Sequence, residues 1–122
     1  MRRTVVTIGA LLFATAATAQ AVEQGQYSTP LRTMLTAAAQ GSCTEALMGE
    51  ALLNACRQQL PQLAPTLKAA GEIRTIAFDK AEDADGQRYE KYTVTFANGK
   101  PAIWVIGALK DGKFEAVYSM GE

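Results

Sequence analysis

The change of hydrophobic period at Gly71 is the feature that most constrains the fold of this chain. Before it, apolar residues recur every three or four positions, which is typical of amphipathic helices. After it, apolar and polar residues alternate, which is typical of half-buried strands. Helices at one end of the sequence and strands at the other indicate a segregated α+β domain. The length of 122 residues is enough for one such domain.

Two or three helices are predicted in the first half. Thr29 before Pro30 predicts a helix start, because the hydroxyl can cap the helix and proline fits its first turn. Gly41 predicts the end of this helix. Ser42 and Glu45 have the spacing of a capping box, which predicts a second helix start.

A bend is expected at Gly49, and a second helix follows it. Pro61 and Pro65 interrupt this helix, since proline removes a backbone donor and clashes with the preceding turn. We therefore expect a kink or a restart near Pro61, with the remainder over 62–70. The predicted buried face consists of Leu52, Leu53, Cys56 and Leu60.

Turn dipeptides divide the second half into four predicted strands. Asn98-Gly99 and Asp111-Gly112 predict tight hairpins, and a charged connector is expected over 80–86. Because hairpins join antiparallel neighbours, the sheet is expected to be a four-stranded meander. The third strand is so apolar that it suits a central position or an oligomer interface. The predicted strands are 73–79, 88–97, 101–110 and 114–120.

The first residues have the order of a secretory signal peptide. Arg2 and Arg3 precede an apolar stretch over 4–17, and small residues stand at Ala17 and Ala19. The apolar stretch is about 14 residues long, whereas a membrane-spanning helix needs about 20. We therefore predict cleavage and export to the periplasm, and no membrane attachment of the product.

Cleavage is expected after Ala19, with Ala21 as the alternative. The predicted organisation is a signal peptide over 1–19, a flexible polar leader over 20–29 and a single domain over 30–122. The full chain has 12 basic and 12 acidic residues. Losing two arginines with the signal leaves ten basic against twelve acidic residues. A slightly acidic domain is a poor candidate for binding nucleic acid or an anionic membrane surface.

Cys43 and Cys56 are the two cysteines of the chain. An even count in an exported protein favours a disulfide. One straight helix would separate these residues by about 20 Å, so a bridge requires a bend, most naturally at Gly49. The alternative is two unpaired cysteines in the core.

Several short segments form a familiar series: 57–63, Gly71 with 76–78, Tyr92-x-Val94-x-Phe96-x-Asn98-Gly99, Trp104-x-Ile106 and Asp111-Gly112-Lys113. In order and spacing they resemble a family of small exported bacterial domains of unknown function, related to the NTF2-like (cystatin-like) superfamily. The resemblance covers about residues 30–120 and implies the same helix-then-meander fold. The larger enzymes of the superfamily carry acid/base residues in a cone-shaped cavity between sheet and helix.

No catalytic, cofactor-binding or metal-binding residue is predicted here. The chain has no histidine, which excludes histidine-based triads and zinc sites that use histidine. An enzyme would need a buried carboxylate with a raised pKa, for which Asp79 and Glu90 are the candidates. The acidic stretch 83–86 resembles a calcium loop only in part, because the glutamate that should follow is out of register. A solvated hairpin is the preferred interpretation.

Tyr92, Trp104 and Tyr118 are the candidate residues of a ligand pocket. The preferred interpretation is that the strand aromatics form the core; in the alternative, the polar tips of these three suit a pocket mouth. We predict a non-catalytic binding domain for a small apolar ligand or an envelope protein. The alternatives are a structural or dimerisation module, including a homodimer through the sheet, and, less favoured, an enzyme.

Overall fold

The computed structural model describes residues 24–121, and within them two helices precede a four-stranded sheet. The predicted α+β class with an antiparallel meander is confirmed. The predicted signal peptide and its cleavage sites lie outside the described residues. The elements are α1 (Ser28–Ala39), α2 (Glu50–Ala70), β1 (Ile73–Ala84), β2 (Gln87–Phe96), β3 (Ala102–Lys110) and β4 (Lys113–Ser119).

The four strands pair in chain order, each antiparallel to the next. Tyr92 of β2 lies opposite Trp104 of β3, and Trp104 lies opposite Ser119 of β4. Alternation along β2 places Glu90, Tyr92, Val94 and Phe96 on the buried face, towards the helices. The prediction that β3 is central is confirmed. Five successive residues of β3, from 104 to 108, are buried.

Helix α1 ends at Ala39, two residues before the predicted terminator Gly41, and it begins at Ser28 rather than at Pro30. Gly41, with φ +88°, allows its own N–H to bond Ala38 and the N–H of Ser42 to bond Ala37. This pair of bonds is a Schellman motif, which satisfies the last carbonyls of the helix. Pro30 lies in the first turn, where the amide would have no helical partner.

The predicted capping box at Ser42 and Glu45 is wrong. The backbone N–H of Ser42 already bonds Ala37, and the carboxylate of Glu45 pairs with Arg57 at 2.6 Å instead. The second helix begins at Glu50, after Gly49 in an extended conformation. The bend expected at Gly49 is therefore present.

Helix α2 contains both prolines and remains continuous, so the predicted restart near Pro61 is wrong. Pro61 and Pro65 both lie on the exposed side of the helix. The carbonyls that they leave without a helical donor, those of Arg57 and of Pro61, therefore face water rather than the core. The opposite side packs on the sheet through Leu52, Cys56 and Leu67, and this packing maintains the helix across the prolines.

Strand β1 is longer than predicted, because the charged connector expected over 80–86 continues the strand to Ala84. β1 and β2 pair as far as Ala84 opposite Gln87. Lys80 and Glu82, which suggested a loop, form an exposed ion pair at 3.1 Å on this edge strand. Charges are common on edge strands, where they oppose pairing with other chains. Only Asp85 and Gly86, both with positive φ, form the turn.

The two hairpins predicted from turn dipeptides are present. Asp111 and Gly112, with φ values of +53° and +81°, form a tight two-residue turn. The loop at Asn98 and Gly99 is longer and spans 97–101. One of its amides bonds the end of α2: the N–H of Asn98 donates to the carbonyl of Ala70 at 2.7 Å. This loop therefore holds the C-terminus of α2 against the sheet.

Candidate functional site

An apolar groove of about 670 Å³ lies between α2 and the helix-facing side of the sheet. Its volume falls within the range of roughly 300–1,000 Å³ that is typical of small-molecule sites. We call this space the groove. It is lined by Met34, Leu35, Ala38, Met48, Leu52, Ala55, Cys56, Gln59, Leu63, Thr66, Leu67, Ala70, Phe96, Asn98, Gly99, Lys100, Ala102, Trp104, Val117, Tyr118 and Ser119.

One wall of the groove is a face of α2. The residues that line it recur at helical spacing from Leu52 to Ala70, and all but Gln59 and Thr66 are apolar. Eighteen residues of helix rise about 27 Å, so this wall is long and narrow. The groove accordingly runs parallel to α2.

The other wall is formed by the sheet and the hydrophobic end of α1. Phe96 and Trp104 are buried there. Met34 and Met48 contribute flexible side chains, which adapt to irregular shapes. Tyr118 is 47 % exposed and lies at the border of the groove.

The polar groups of the groove are few. The loop between β2 and β3 contributes Asn98 and Lys100, β4 contributes Ser119, and α2 contributes Gln59 and Thr66. Among the residues that line the groove, all within the described part of the chain, Lys100 alone is charged. An apolar space with a few polar groups at its border is typical of a ligand site.

The three aromatic residues predicted to form a pocket are only partly brought together. Trp104 and Tyr118 line the groove, whereas Tyr92 does not. Tyr92 is almost completely buried beneath the segment that precedes α1. Its ring packs edge-on against Phe78, with centroids 5.7 Å apart, and its hydroxyl is committed to Glu90.

Glu90 is the centre of a buried polar cluster, and its side chain is fully inaccessible to solvent. The carboxylate accepts hydrogen bonds from the backbone N–H groups of Gln26 and Tyr27, at 2.9–3.0 Å. The Tyr92 hydroxyl also donates to it, and Arg88 Nε bonds it at 2.6 Å. We call Glu90, Arg88, Tyr92 and the two backbone amides the Glu90 cluster.

The pKa of Glu90 is shifted downwards. Burial alone raises the pKa of the carboxyl group, but hydrogen bonds from Tyr92, Arg88 and the two backbone amides together outweigh burial and lower it below its usual value. Burial and the hydrogen bond to Glu90 raise the pKa of Tyr92. Glu90 is thus an ion at neutral pH, with Tyr92 as a neutral donor. Asp79, the other carboxylate considered from the sequence, is exposed on β1.

The predicted disulfide is present and lies beside the groove. Cys43 and Cys56 are joined, with their Cα atoms 6.1 Å apart. The bridge ties the loop after α1 to the buried face of α2, and Cys56 also lines the groove. It therefore fixes the position of α2 near the first turn of the groove wall.

The helix wall of the groove and the place of Lys100 in its lining were not predicted from the sequence. Leu63 and Thr66 follow Pro61, so the expected break concealed that they continue the face begun by Leu52. Lys100 follows the turn dipeptide Asn98-Gly99, and no local pattern indicates that it lines a groove. The helical spacing of 52–70 alone would have indicated the wall.

A second, smaller depression of about 420 Å³ lies on the other side of the sheet. Tyr89, Lys91 and Val105 contribute to it, and Tyr118 and Met120 border it. Met120 is 55 % exposed. This outer face thus combines some apolar surface with charged side chains such as Lys80, Glu82 and Lys91.

Two further properties bear on the chemistry of the described residues. Between residues 24 and 121, there is no group of three or more histidine, cysteine, aspartate or glutamate side chains that could hold a metal ion. No helix in the same range is long and apolar enough to cross a membrane.

Comparison with protein-family models, curated proteins and solved structures finds no match to this chain.

Proposed function

We propose that this chain is an exported, non-catalytic binding domain of the NTF2-like type that holds a small apolar ligand in the groove. The observation that carries the proposal is the groove itself: about 670 Å³ of mostly apolar space between α2 and the sheet. A packed interior leaves few voids larger than a water molecule. A space of this size beside the core is thus a site that a ligand can fill.

The non-catalytic part of the proposal rests on the state of the carboxylates. Glu90 does not line the groove, and four protein groups already occupy its oxygens. A general acid at neutral pH needs a raised pKa, whereas the pKa of Glu90 is lowered. Glu90 instead ties the segment before α1 to the sheet, which is a structural role.

Export is supported by two independent features. The N-terminal sequence has the order of a signal peptide. The Cys43–Cys56 disulfide is a bond that persists in oxidising compartments such as the periplasm.

The binding proposal is tested with N-phenyl-1-naphthylamine, an apolar dye that fluoresces when it leaves water. Trp104, the single tryptophan of the chain, lines the groove, so energy transfer from Trp104 reports a dye bound beside it. We expect saturable binding at one site. Ala55→Phe fills the groove and should abolish binding. Ala51→Phe is the matched control, because Ala51 is exposed on the same helix and does not line the groove.

Two outcomes of the dye experiment would contradict the proposal. Equal dye binding by both variants would place the dye elsewhere and contradict the groove as the site. An absence of saturable binding by the unmodified protein would contradict the proposal as a whole.

The second candidate function is a dimerisation or partner-docking module. The apolar patch on the outer face of the sheet favours it, with Tyr118 and Met120 exposed at 47 % and 55 %. Sedimentation velocity tests it: a dimer that Met120→Glu dissociates, and Lys110→Glu does not, supports this function. A monomer at all concentrations contradicts self-association.

A further inference from the structure

The shape of the groove favours an elongated ligand over a compact one. Its wall on α2 extends from Leu52 to Ala70, about 27 Å along the helix axis. Met34 and Met48 line the part formed by α1 and the following loop, and Asn98 and Lys100 come from the loop that contacts the last turn of α2. An apolar chain lying along α2 can therefore contact apolar residues for most of its length.

The charge of the groove is confined to one element. Lys100 is the single ionic group among the lining residues. It belongs to the loop over 97–101, which two backbone bonds hold in place: Ala97 N–H to Glu72 at 2.8 Å and Asn98 N–H to Ala70 at 2.7 Å. The cation is thus carried by an anchored loop at a defined end of the groove.

The negative end of α2 is compensated by these contacts. The carbonyl of Ala70 accepts from Asn98, and those of Leu67 and Lys68 accept from Gly71. These three carbonyls therefore have donors of their own, and Lys68 in the last turn adds a positive charge at the negative end of the helix. Asn98 and Ser119 add neutral polar side chains to the lining. This end of the groove consequently suits a group with a single negative charge.

We infer that the ligand is a linear monocarboxylate, a fatty-acid anion whose tail lies along α2 and whose carboxylate pairs with Lys100. The inference rests on the proposed function and specifies the class of ligand for the same groove. A cationic amphiphile would place its charge against Lys100. A neutral alcohol of equal length would gain the apolar contacts without the ion pair.

The test compares three competitors of equal chain length: laurate, dodecanol and dodecyltrimethylammonium. Laurate and dodecyltrimethylammonium are used below their micelle concentrations, and dodecanol below its solubility limit, to displace N-phenyl-1-naphthylamine from the protein. We expect laurate to bind roughly three- to fivefold more tightly than dodecanol, which is the contribution of one ion pair at a solvent-exposed border. Dodecyltrimethylammonium should bind most weakly. The advantage of laurate should shrink at high salt, because salt screens exposed pairs.

Substitution of the cation gives the decisive comparison. Lys100→Gln should make laurate and dodecanol equal, and Lys100→Glu should reverse their order. Lys110→Gln is the control, since Lys110 is an exposed lysine that does not line the groove. Lys100 is itself exposed, so these variants should fold, and unchanged dye affinity would verify that the groove is intact.

The outcomes separate the inference from the proposed function. If dye and dodecanol bind in the groove but laurate has no advantage, or Lys100→Gln leaves that advantage intact, the inference is overturned and the apolar-ligand function stands. If the dye does not bind the unmodified protein, the proposed function fails, and the inference fails with it.

Discussion

The Glu90 carboxylate on β2 accepts a hydrogen bond from the backbone N–H of Tyr27 at 3.0 Å, across a separation of 63 residues. Through this contact the segment before α1 is fixed to the centre of the sheet. The side chain of Tyr27 is buried as well, and its ring lies edge-on to Phe114 at 4.9 Å. A flexible leader was expected over 20–29. The structure describes this segment from residue 24 onwards, and there it is bonded to the sheet.

Replacing Glu90 should destabilise the domain strongly. Glu90→Gln removes the charge that pairs with Arg88 and weakens the acceptor for the two backbone amides. Removing one partner of a buried ion pair typically lowers the free energy of unfolding by about 3 kcal/mol or more. Urea unfolding at neutral pH measures this cost. Glu82→Gln is the control, because its ion pair is exposed and should contribute less than about 1 kcal/mol. Similar losses for both variants would contradict the role of the Glu90 cluster.

The free energy of unfolding should decrease at acidic pH because of Glu90. Its pKa is lower in the folded state than the ordinary value of about 4.3 in an unfolded chain. The unfolded state therefore binds the proton more readily, and the stabilisation is complete above about pH 4.3 and lost as the pH falls through the lower folded value. Urea midpoints between pH 7 and pH 3 should show this decrease, and Glu90→Gln should make it shallower. An identical pH dependence in the variant would argue against this assignment.

The disulfide should contribute a large share of the stability. Cys43 and Cys56 are 13 positions apart, and closing a loop of this size contributes on the order of 3 kcal/mol by chain entropy. Cys43→Ala combined with Cys56→Ala should lower Tm by more than about 10 °C in a domain of this size. Reductant should lower the Tm of the unmodified protein and leave that of the variant unchanged. A Tm that neither the substitutions nor the reductant alters would be inconsistent with this role.

Gly25 should tolerate no large side chain. A Cβ at this position would meet the Tyr92 hydroxyl and the ring of Phe78, so Gly25→Leu must displace the segment that bonds Glu90. We expect a loss of about 1–3 kcal/mol, the usual cost of overpacking, and faster hydrogen exchange at the amide of Tyr27. Gln24→Leu is the control at an exposed neighbour. Unchanged exchange at Tyr27 in Gly25→Leu would show that the segment is not held by this contact.

Local patterns predicted the architecture well where local chemistry decides it. The period change at Gly71, the turn at Asp111 and the end of α1 just before Gly41 depend on neighbours in sequence, and all three are present. The predicted disulfide also formed, because the bend before α2 brings Cys56 near Cys43.

Tertiary contacts decided the remaining features. Pro61 does not restart α2, since its ring faces solvent while Leu67 and Cys56 pack on the sheet. Lys80 lies in a strand because β2 supplies partners for the backbone around it. Tyr92 is absent from the groove because it bonds Glu90 beneath a segment 65 residues earlier. No pattern local to any of these residues contains that information.

The most direct test of ligand binding in the groove is the indole N–H resonance of Trp104 in a ¹H–¹⁵N spectrum. It is a unique signal, because the chain has one tryptophan, and Trp104 lines the groove. Titration with laurate should shift this resonance together with the amides of Leu63 and Thr66, saturating with a single dissociation constant, and Ala55→Phe should remove the shifts. If the resonance stays in place while amides of Tyr89 and Lys91 on the outer face respond, the ligand binds elsewhere and the account is wrong.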